Sequence, residues 1–264
     1  MIVDAHVHLF PEALARAIRS FFDEHIAEGI PYPCEADAAL GAVRAAGVDR
    51  CWALPYVRKA GAAGRLNRWM AERFGDEPAV VAGAALHPGD DVEAVMAEAF
   101  DALGLAFAKL HCSVGDFSPD DAALEPLWRR VSGSGHPVVV HVGHAVSGAT
   151  AAGELAPVAR VAERWPDARL IVAHTGAPAV AETLALLRRT RSLHADLAPV
   201  VTEPVRFTAD EIAGLEDRIL FGSDAPNVVV PIEAGIARVR GLGLAEPHER
   251  AILGGNAERL IARR

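Results

Sequence analysis

Short apolar segments alternate with longer amphipathic segments along most of the chain. The apolar segments are rich in β-branched residues and lack a strict apolar–polar alternation, which is typical of parallel strands buried on both faces. The amphipathic segments have the spacing of helices packed on one side. The pattern predicts eight strands, at residues 2–9, 48–54, 79–86, 105–110, 137–142, 168–173, 192–196 and 218–222.

A predicted helix follows each predicted strand. Eight such units close into a (β/α)8 TIM barrel, and 264 residues is a usual length for that fold. We therefore expect an α/β protein with one barrel domain over residues 1–264, a helical insertion of about residues 11–33 after strand one, and extra C-terminal helices. An open doubly wound sheet is the alternative, but it would need a phosphate-type glycine loop where His8-Leu9-Phe10-Pro11 stands.

Titratable residues stand near the C-terminal ends of five predicted strands. They are His6 and His8 on strand one, Lys109 and His111 on strand four, His141 on strand five, His174 on strand six and Asp224 on strand eight. In a barrel these ends converge on one face, where barrel enzymes hold their active sites. By simple alternation Asp4 shares a face with His6 and His8, and it would face opposite to His6 only if the period slips. We expect Asp4 to support the site rather than to bind a metal.

Four of these residues have the chemistry of a metal site. We expect His6, His8, His141 and Asp224 to bind one divalent ion, with zinc favoured and manganese as the alternative, because imidazole and carboxylate groups suit both. Asp224 would also shuttle a proton from water to a leaving group. Taken singly, His141 could be a buried structural histidine and Asp224 a helix cap, but their recurrence at strand ends argues against both interpretations.

The amino-acid composition limits the classes of molecule that the protein is expected to bind. Lys plus Arg is 26 and Asp plus Glu is 35, so the formal net charge is −9. This balance argues against a nucleic-acid or anionic-membrane surface. Cys34, Cys51 and Cys112 are too few and too scattered for a disulfide framework, and no signal peptide or membrane-spanning run is evident. We expect a cytoplasmic protein with a small-molecule substrate, and a homo-oligomer is compatible with the sequence.

Several motifs together resemble those of the amidohydrolase superfamily. They are Asp4-Ala5-His6-Val7-His8, His141, His174-Thr175-Gly176, Gly222-Ser223-Asp224-Ala225-Pro226 and Leu253-Gly254-Gly255-Asn256-Ala257-Glu258-Arg259-Leu260. The last two are similar to the amidohydrolase-related branch (amidohydrolase 2), which contains small lactonases, hydratases and non-oxidative decarboxylases. The resemblance covers nearly the whole chain and implies metal-dependent barrel chemistry without specifying a substrate.

The resemblance leaves two possible roles for His174 and Lys109. In two-metal members, the equivalent histidine binds a second ion and a carboxylated lysine bridges the two ions. In one-metal members, the histidine contacts water or substrate. Lys109-Leu110-His111 resembles the branch in which the lysine is not usually a bridge, so we favour one metal and assign His174 and Lys109 catalytic roles at an oxyanion. A structural histidine and a rim ion pair are the simpler alternatives.

Three more residues are candidates for substrate binding. Arg58 lies in a glycine-containing loop after strand two and could clamp a carboxylate, although a solvated charge is the simpler interpretation. His111 ends strand four, and His144 follows His141 in the loop after strand five. Arg16 and Arg19 are predicted to lie on an exposed helix face.

The leading interpretation is a hydrolase that attacks a small lactone, ester or amide with metal-activated water. The alternative is a lyase that decarboxylates or hydrates a small unsaturated or aromatic acid at the same metal, which requires cations placed for a carboxylate. A metal-dependent nuclease barrel is less favoured because its Gly-Glu-x-Gly-Leu-Asp pattern is missing. A non-catalytic barrel would be expected to have lost ligands.

Overall fold

A computed structural model describes residues 1–143 and 151–262 of the chain. The strands in these ranges are β1 Val3–Val7, β2 Arg50–Ala53, β3 Val80–Ala82, β4 Ala84–Ala85, β5 Ala108–Leu110, β6 Val138–Val140, β7 Leu170–Val172, β8 Leu193–Asp196 and β9 Ile219–Leu220. All strand pairs are parallel, and each strand pairs with its neighbours in sequence within the groups β1–β3 and β4–β9.

Hydrogen bonds close these two groups into one ring. Between β1 and β9, Ala5 N donates to Phe221 O at 2.9 Å and His8 N donates to Ala225 O at 2.7 Å. The break between β3 and β4 falls at Gly83, where a Cβ atom would lie 2.3 Å from the ring of Phe107. Glycine therefore lets the backbone pass an aromatic side chain inside the barrel. Because β3 and β4 form one barrel strand, the predicted eight-stranded TIM barrel is confirmed.

Helices follow the strands around the ring. The α-helices are α1 Glu12–His25, α2 Ala36–Ala45, α3 Ala63–Phe74, α4 Val92–Met96, α5 Cys112–Gly115, α6 Glu125–Ser134, α7 Ala151–Arg164, α8 Val180–Arg189, α9 Ala209–Ile212, α10 Ile232–Arg240, α11 Glu246–Arg250 and α12 Asn256–Ile261. Further helical turns cover Ala97–Ala102, Ala122–Leu124, Ala173–Gly176 and Ala251–Gly255. None of the helices within residues 1–143 and 151–262 is long and apolar enough to cross a membrane.

The strands are buried on both faces, as their sequence predicts. One face packs against the helices in a large apolar layer that contains Trp128, and the other fills the barrel interior with side chains that include Phe107 and Val139. Successive inward positions on a strand are two residues apart. Lys109 and His141 therefore lie above Phe107 and Val139, toward the C-terminal end of the barrel, where the apolar filling gives way to polar groups.

Strand β1 contains an irregularity that sets the direction of its polar residues. Val3 and Ala5 belong to the barrel interior, whereas Val7 packs in the outer layer, and the register with β2 shifts between Asp4 and Val7. The shift turns His6 inward and leaves Asp4 on the other face. The prediction that Asp4 shares a face with the two histidines by simple alternation is therefore wrong.

Asp4 joins two strands at the site. Its Oδ1 accepts hydrogen bonds from the backbone N–H groups of His6 and Ser223, each at 3.0 Å. Burial raises the pKa of Asp4 to about 7, although its hydrogen bonds with Ser223 and His6 act in the opposite direction. Asp4 thus supports the backbone next to His6 and Asp224 without itself facing the barrel interior.

Candidate metal site

His6 and His8 are fixed through their Nδ1 atoms. His6 Nδ1 donates to Asp196 Oδ2 at 2.9 Å, and His8 Nδ1 donates to Leu54 O at 2.7 Å. Their Nε2 atoms lie 3.5 and 3.1 Å from Asp224 Oδ1. One ligand atom from each of His6, His8 and Asp224 lies within 4.8 Å of the other two. A hydrogen bond at Nδ1 fixes the tautomer that leaves Nε2 free to bind a metal.

The protonation of these groups fits a divalent metal. His6 Nε2 is buried and has no hydrogen-bond partner among the described residues. Burial, reinforced by the charge of Lys109, holds the pKa of His6 well below its usual 6.5, so the imidazole is neutral. Burial alone would raise the pKa of Asp224, but the hydrogen bond with His8 and the nearby imidazoles of His6 and His174 lower it. Neutral imidazoles beside a carboxylate form a suitable donor set for a first-row divalent ion.

Asp196, at the end of β8, connects His6 on β1 with His174 in the turn after β7, and it was missed in the sequence. Besides the bond from His6, it accepts hydrogen bonds from the backbone N–H groups of His174 at 2.8 Å and Ala198 at 3.1 Å. Burial raises the pKa of this carboxyl group. The available signal was its place at the end of a predicted strand, the same feature that identified the histidines.

A second group of possible ligand atoms comprises His6, His174 and Asp196. Both oxygens of Asp196 already accept hydrogen bonds from these histidines or their backbone. We therefore interpret this group as the support that orients His6 and the chain at His174, rather than as a second metal site.

The backbone is strained where His174 and Asp224 enter the site. His174, Thr175 and Asp224 have φ values of 56°, 47° and 60°, in the left-handed region that non-glycine residues seldom adopt. Each such residue costs on the order of 1–3 kcal/mol and persists only where its surroundings hold it. Here the Asp196 side chain holds the His174 N–H, and the Asp224 N–H donates to His6 O at 2.8 Å.

The ring of His174 lies between two other histidines. Its centroid is 4.8 Å from that of His6 and 4.9 Å from that of His141, and its Nδ1 donates to Ala198 O at 3.2 Å. Burial lowers the pKa of His174. His174 is therefore a neutral, oriented imidazole next to the candidate ligands.

His141 borders the site, but its Nε2 is bonded to the backbone of the loop that follows its strand. His141 Nε2 donates to Gly143 O at 2.9 Å, and the ring stacks on that of His111 with centroids 3.9 Å apart. The other ring nitrogen of His141, Nδ1, has no hydrogen bond with the described residues. The place of His141 among the metal ligands stays a prediction.

Lys109 introduces a cation beneath the candidate ligands. Its side chain is fully buried, and Nζ has no hydrogen-bond partner within residues 1–143 and 151–262. Burial lowers the pKa of Lys109 to about 8, while Asp196 and Asp224 act in the opposite direction. The amine thus has hydrogen-bonding capacity that the described residues leave unused.

The residues that the sequence suggests for substrate binding lie in different environments. His111 is half-buried beside His141, and its Nδ1 lies 3.3 Å from Ser113 Oγ. Arg58 is exposed in the loop after β2. His144 lies outside the described residues. Tyr56, which was missed in the sequence, has its ring centroid 5.2 Å from that of His8 and 4.6 Å from that of His111.

Arg19 joins α1 to the loop that follows Asp224. Its guanidinium donates to Tyr32 O at 2.7 Å and to Pro226 O at 2.8 Å, and the side chain is half-buried. The expectation of an exposed face holds for Arg16, which forms an ion pair with Glu12 on the surface. It is wrong for Arg19, because two backbone carbonyl groups distant in sequence attract its guanidinium.

The fold and the histidine–aspartate cluster define a TIM-barrel protein with a candidate divalent-metal site at the C-terminal ends of its strands. A family model described as amidohydrolase matches residues 3–263. The chain therefore belongs to the amidohydrolase family. No curated protein matches the sequence.

Solved structures share the fold at low identity. A TIM-barrel protein from Bordetella bronchiseptica is 22% identical, with a TM-score of 0.76 and coverage of 99% of this chain and 98% of that one. A 4-oxalomesaconate hydratase from Rhodopseudomonas palustris is 16% identical, with a TM-score of 0.66 and coverage of 99% and 95%. A 5-carboxyvanillate decarboxylase from Novosphingobium aromaticivorans, with bound manganese, is 14% identical, with a TM-score of 0.72 and coverage of 99% and 97%.

Proposed function

We propose that this protein is a metal-dependent hydrolase of a small lactone, ester or amide, with one divalent ion held by His6, His8 and Asp224 and completed by His141. The observation that carries the proposal is the convergence of His6 Nε2, His8 Nε2 and Asp224 Oδ1, with both Nδ1 atoms already bonded to protein acceptors. A divalent ion bound there would polarise a carbonyl group and supply an acidified water near neutral pH.

Side chains of the protein would supply proton transfer and stabilisation of the oxyanion. Asp224 is ionised and lies against the Nε2 atoms of both histidines, so it can accept a proton from water and return it to the leaving group. Lys109 and His174 are the groups that would stabilise a developing oxyanion, because one offers a buried cation and the other a buried, oriented imidazole.

Zinc is the proposed metal, with manganese as the alternative. Two or three imidazoles and one carboxylate are ordinary ligands for zinc, and the same set accepts manganese. The manganese in the decarboxylase from Novosphingobium aromaticivorans supports the alternative. The single-domain organisation, the cytoplasmic setting and the roles of Arg58, His111 and His144 in substrate binding are further proposals from the sequence.

A lactone and ester panel, assayed with metal-depleted protein before and after addition of zinc or manganese, tests the proposal. We expect hydrolysis to depend on added metal and to fall at least about 100-fold in Asp224→Asn. His194→Gln is the matched control, because His194 is a barrel histidine on β8 outside the candidate ligand group. Metal-independent hydrolysis, or an active Asp224→Asn protein, would contradict the proposal.

A lyase is the second candidate, and Lys109 is the observation that favours it. A buried amine with no hydrogen-bond partner among the described residues is the kind of cation that a carboxylate substrate requires. The structural neighbours that are a decarboxylase and a hydratase agree with this chemistry. Release of carbon dioxide from 5-carboxyvanillate or related aromatic acids, with no turnover of lactones, would select the lyase over the hydrolase.

A further inference from the structure

Tyr56 is placed by the same backbone segment that orients a candidate metal ligand. Leu54, the residue after β2, accepts the hydrogen bond from His8 Nδ1, and Tyr56 follows two residues later. Any shift of this segment would move both the imidazole and the phenol. Tyr56 is therefore coupled to the position of His8 although it takes no part in the candidate ligand group.

Three rings fix the orientation of Tyr56. Its ring meets His8 edge-on, with centroids 5.2 Å apart, and meets Phe10 in the same manner at 5.0 Å. The ring of His111 lies 4.6 Å away on a tilted plane. Edge-to-face contacts of this kind stabilise one ring orientation, so the phenol is held rigidly at the border of the site.

The hydroxyl is the one polar group of the Tyr56 side chain. It has no hydrogen bond with any described residue, and the side chain is only partly buried. Tyr32 is the other of the two tyrosines, and its hydroxyl accepts a hydrogen bond from Ile232 N at 2.9 Å. A tyrosine phenol keeps its proton at neutral pH, so this hydroxyl can donate a hydrogen bond.

We propose that Tyr56 is a substrate-contacting residue whose hydroxyl donates a hydrogen bond to an anionic oxygen of a small molecule bound at the His6, His8 and Asp224 site. The inference rests on the proposed function and adds a specificity element to it. A rigid donor selects ligands that present an oxygen at one position, and it rejects ligands with an apolar group there. The ligand class is a small oxyanion-bearing molecule: a hydroxamate, a carboxylate or the oxyanion of an acyl-transfer intermediate.

Carbon-13 NMR of zinc-loaded protein labelled at tyrosine Cζ tests this contact without an activity assay. Two resonances are expected, and Tyr32→Phe assigns them. The probe is benzohydroxamate, which presents oxygens to a metal and to nearby donors. We expect the Tyr56 resonance to shift on addition of the probe while the Tyr32 resonance stays in place. Tyr56→Phe, which keeps the ring contacts, should weaken probe binding about 10-fold or more in calorimetry at equal zinc content.

The outcomes distinguish failure of the proposed hydrolase function from failure of the Tyr56 contact alone. If zinc-loaded wild-type protein does not bind benzohydroxamate, the proposed function fails, and the inference fails with it. If the wild type binds the probe but the Tyr56 resonance stays in place, or Tyr56→Phe binds equally well, the role of Tyr56 alone is overturned. Both the shift and the loss of affinity are required to support it.

Discussion

Asp196 accepts a hydrogen bond from His6 Nδ1 at 2.9 Å, and both side chains are fully buried. The two residues are 190 positions apart in the sequence, on β8 and β1. The contact makes Asp196 the residue that turns the Nε2 atom of His6 toward Asp224. The same carboxylate holds the backbone of His174, so one side chain orients groups on two other strands.

Replacement of Asp196 by Asn should weaken metal binding. The amide keeps the size of the side chain but loses the charge that makes His6 a stronger ligand, and such outer partners are commonly worth about 10–100-fold in metal affinity. Competition with a zinc-binding dye measures the change. A wild-type affinity in a folded Asp196→Asn protein would show that His6 does not need this carboxylate.

Gly222→Ala should disturb the position of His6. A Cβ atom at residue 222 would lie 2.9 Å from His6 Cβ and 3.3 Å from Ala198 Cβ. We expect the free energy of unfolding to fall by about 1–3 kcal/mol, because overpacking forces the backbone to move. We also expect weaker zinc binding. Chemical denaturation and zinc titration measure the two effects.

Gly41→Ala is the matched control for that substitution. Gly41 lies inside α2, and a Cβ atom there would meet nothing within 4 Å. We expect this variant to be more stable than the wild type by up to about 1 kcal/mol because of helix propensity, with unchanged zinc binding. Equal behaviour of the two alanine variants would contradict the steric argument.

Arg19→Met should loosen the loop that carries Asp224. The guanidinium donates to Tyr32 O and Pro226 O, and loss of hydrogen bonds from a charged donor costs about 1–3 kcal/mol. We expect a lower free energy of unfolding and reduced zinc affinity. Arg16→Met is the control, because Arg16 lies on the exposed face of the same helix and should change stability by less than about 0.5 kcal/mol.

Removal of the buried cation should stabilise the metal-free protein. Burial lowers the pKa of Lys109 to about 8 from 10.5, so the folded state disfavours the proton that the unfolded state holds. Lys109→Met should therefore raise the free energy of unfolding at pH 7 by up to about 3 kcal/mol. The gain should shrink as pH rises from 8 to above 10.5, and turnover should fall about 100-fold. A less stable Lys109→Met protein would contradict the argument.

The acid dependence of stability should include a contribution from His194. Burial lowers the pKa of His194 to about 4 from 6.5. Between pH 6.5 and 4, the unfolded state therefore binds a proton at His194 that the folded state does not bind. The free energy of unfolding should fall as pH decreases from 6.5 to 4, by at most about 3 kcal/mol from this group. Urea denaturation of metal-free His194→Gln should show a shallower decrease than the wild type, and equal slopes would exclude the contribution.

Much of the fold was predictable because its signal is local. Strands buried on both faces are continuous apolar runs, and a run ending in histidine or aspartate marks the catalytic end of a barrel. His6, His8 and Asp224 could be identified in this way because each lies near the C-terminal end of a predicted strand. The resemblance to the amidohydrolase superfamily, confirmed by the family match, rested on these strand ends and on the closing motif at residues 253–260.

The remaining features depend on contacts that no local pattern specifies. Asp4 was misplaced because a single irregular residue in β1 reverses the face of every later side chain. Arg19 was assigned to an exposed face because its partners are backbone carbonyl groups, which carry no sequence signature. Tyr56 resembles a core aromatic residue until its hydroxyl is seen to have no hydrogen bond with the described residues.

Anomalous diffraction from crystals of zinc-reconstituted protein, collected on both sides of the zinc absorption edge, locates the metal. We predict one ion per chain, bound by His6 Nε2, His8 Nε2 and an oxygen of Asp224, with Lys109 unmodified. A nitrogen of His141 in the same coordination sphere would complete the predicted ligand set. An anomalous peak away from His6 and His8, two peaks bridged by a carboxylated Lys109, or none at full zinc loading would contradict the one-metal site.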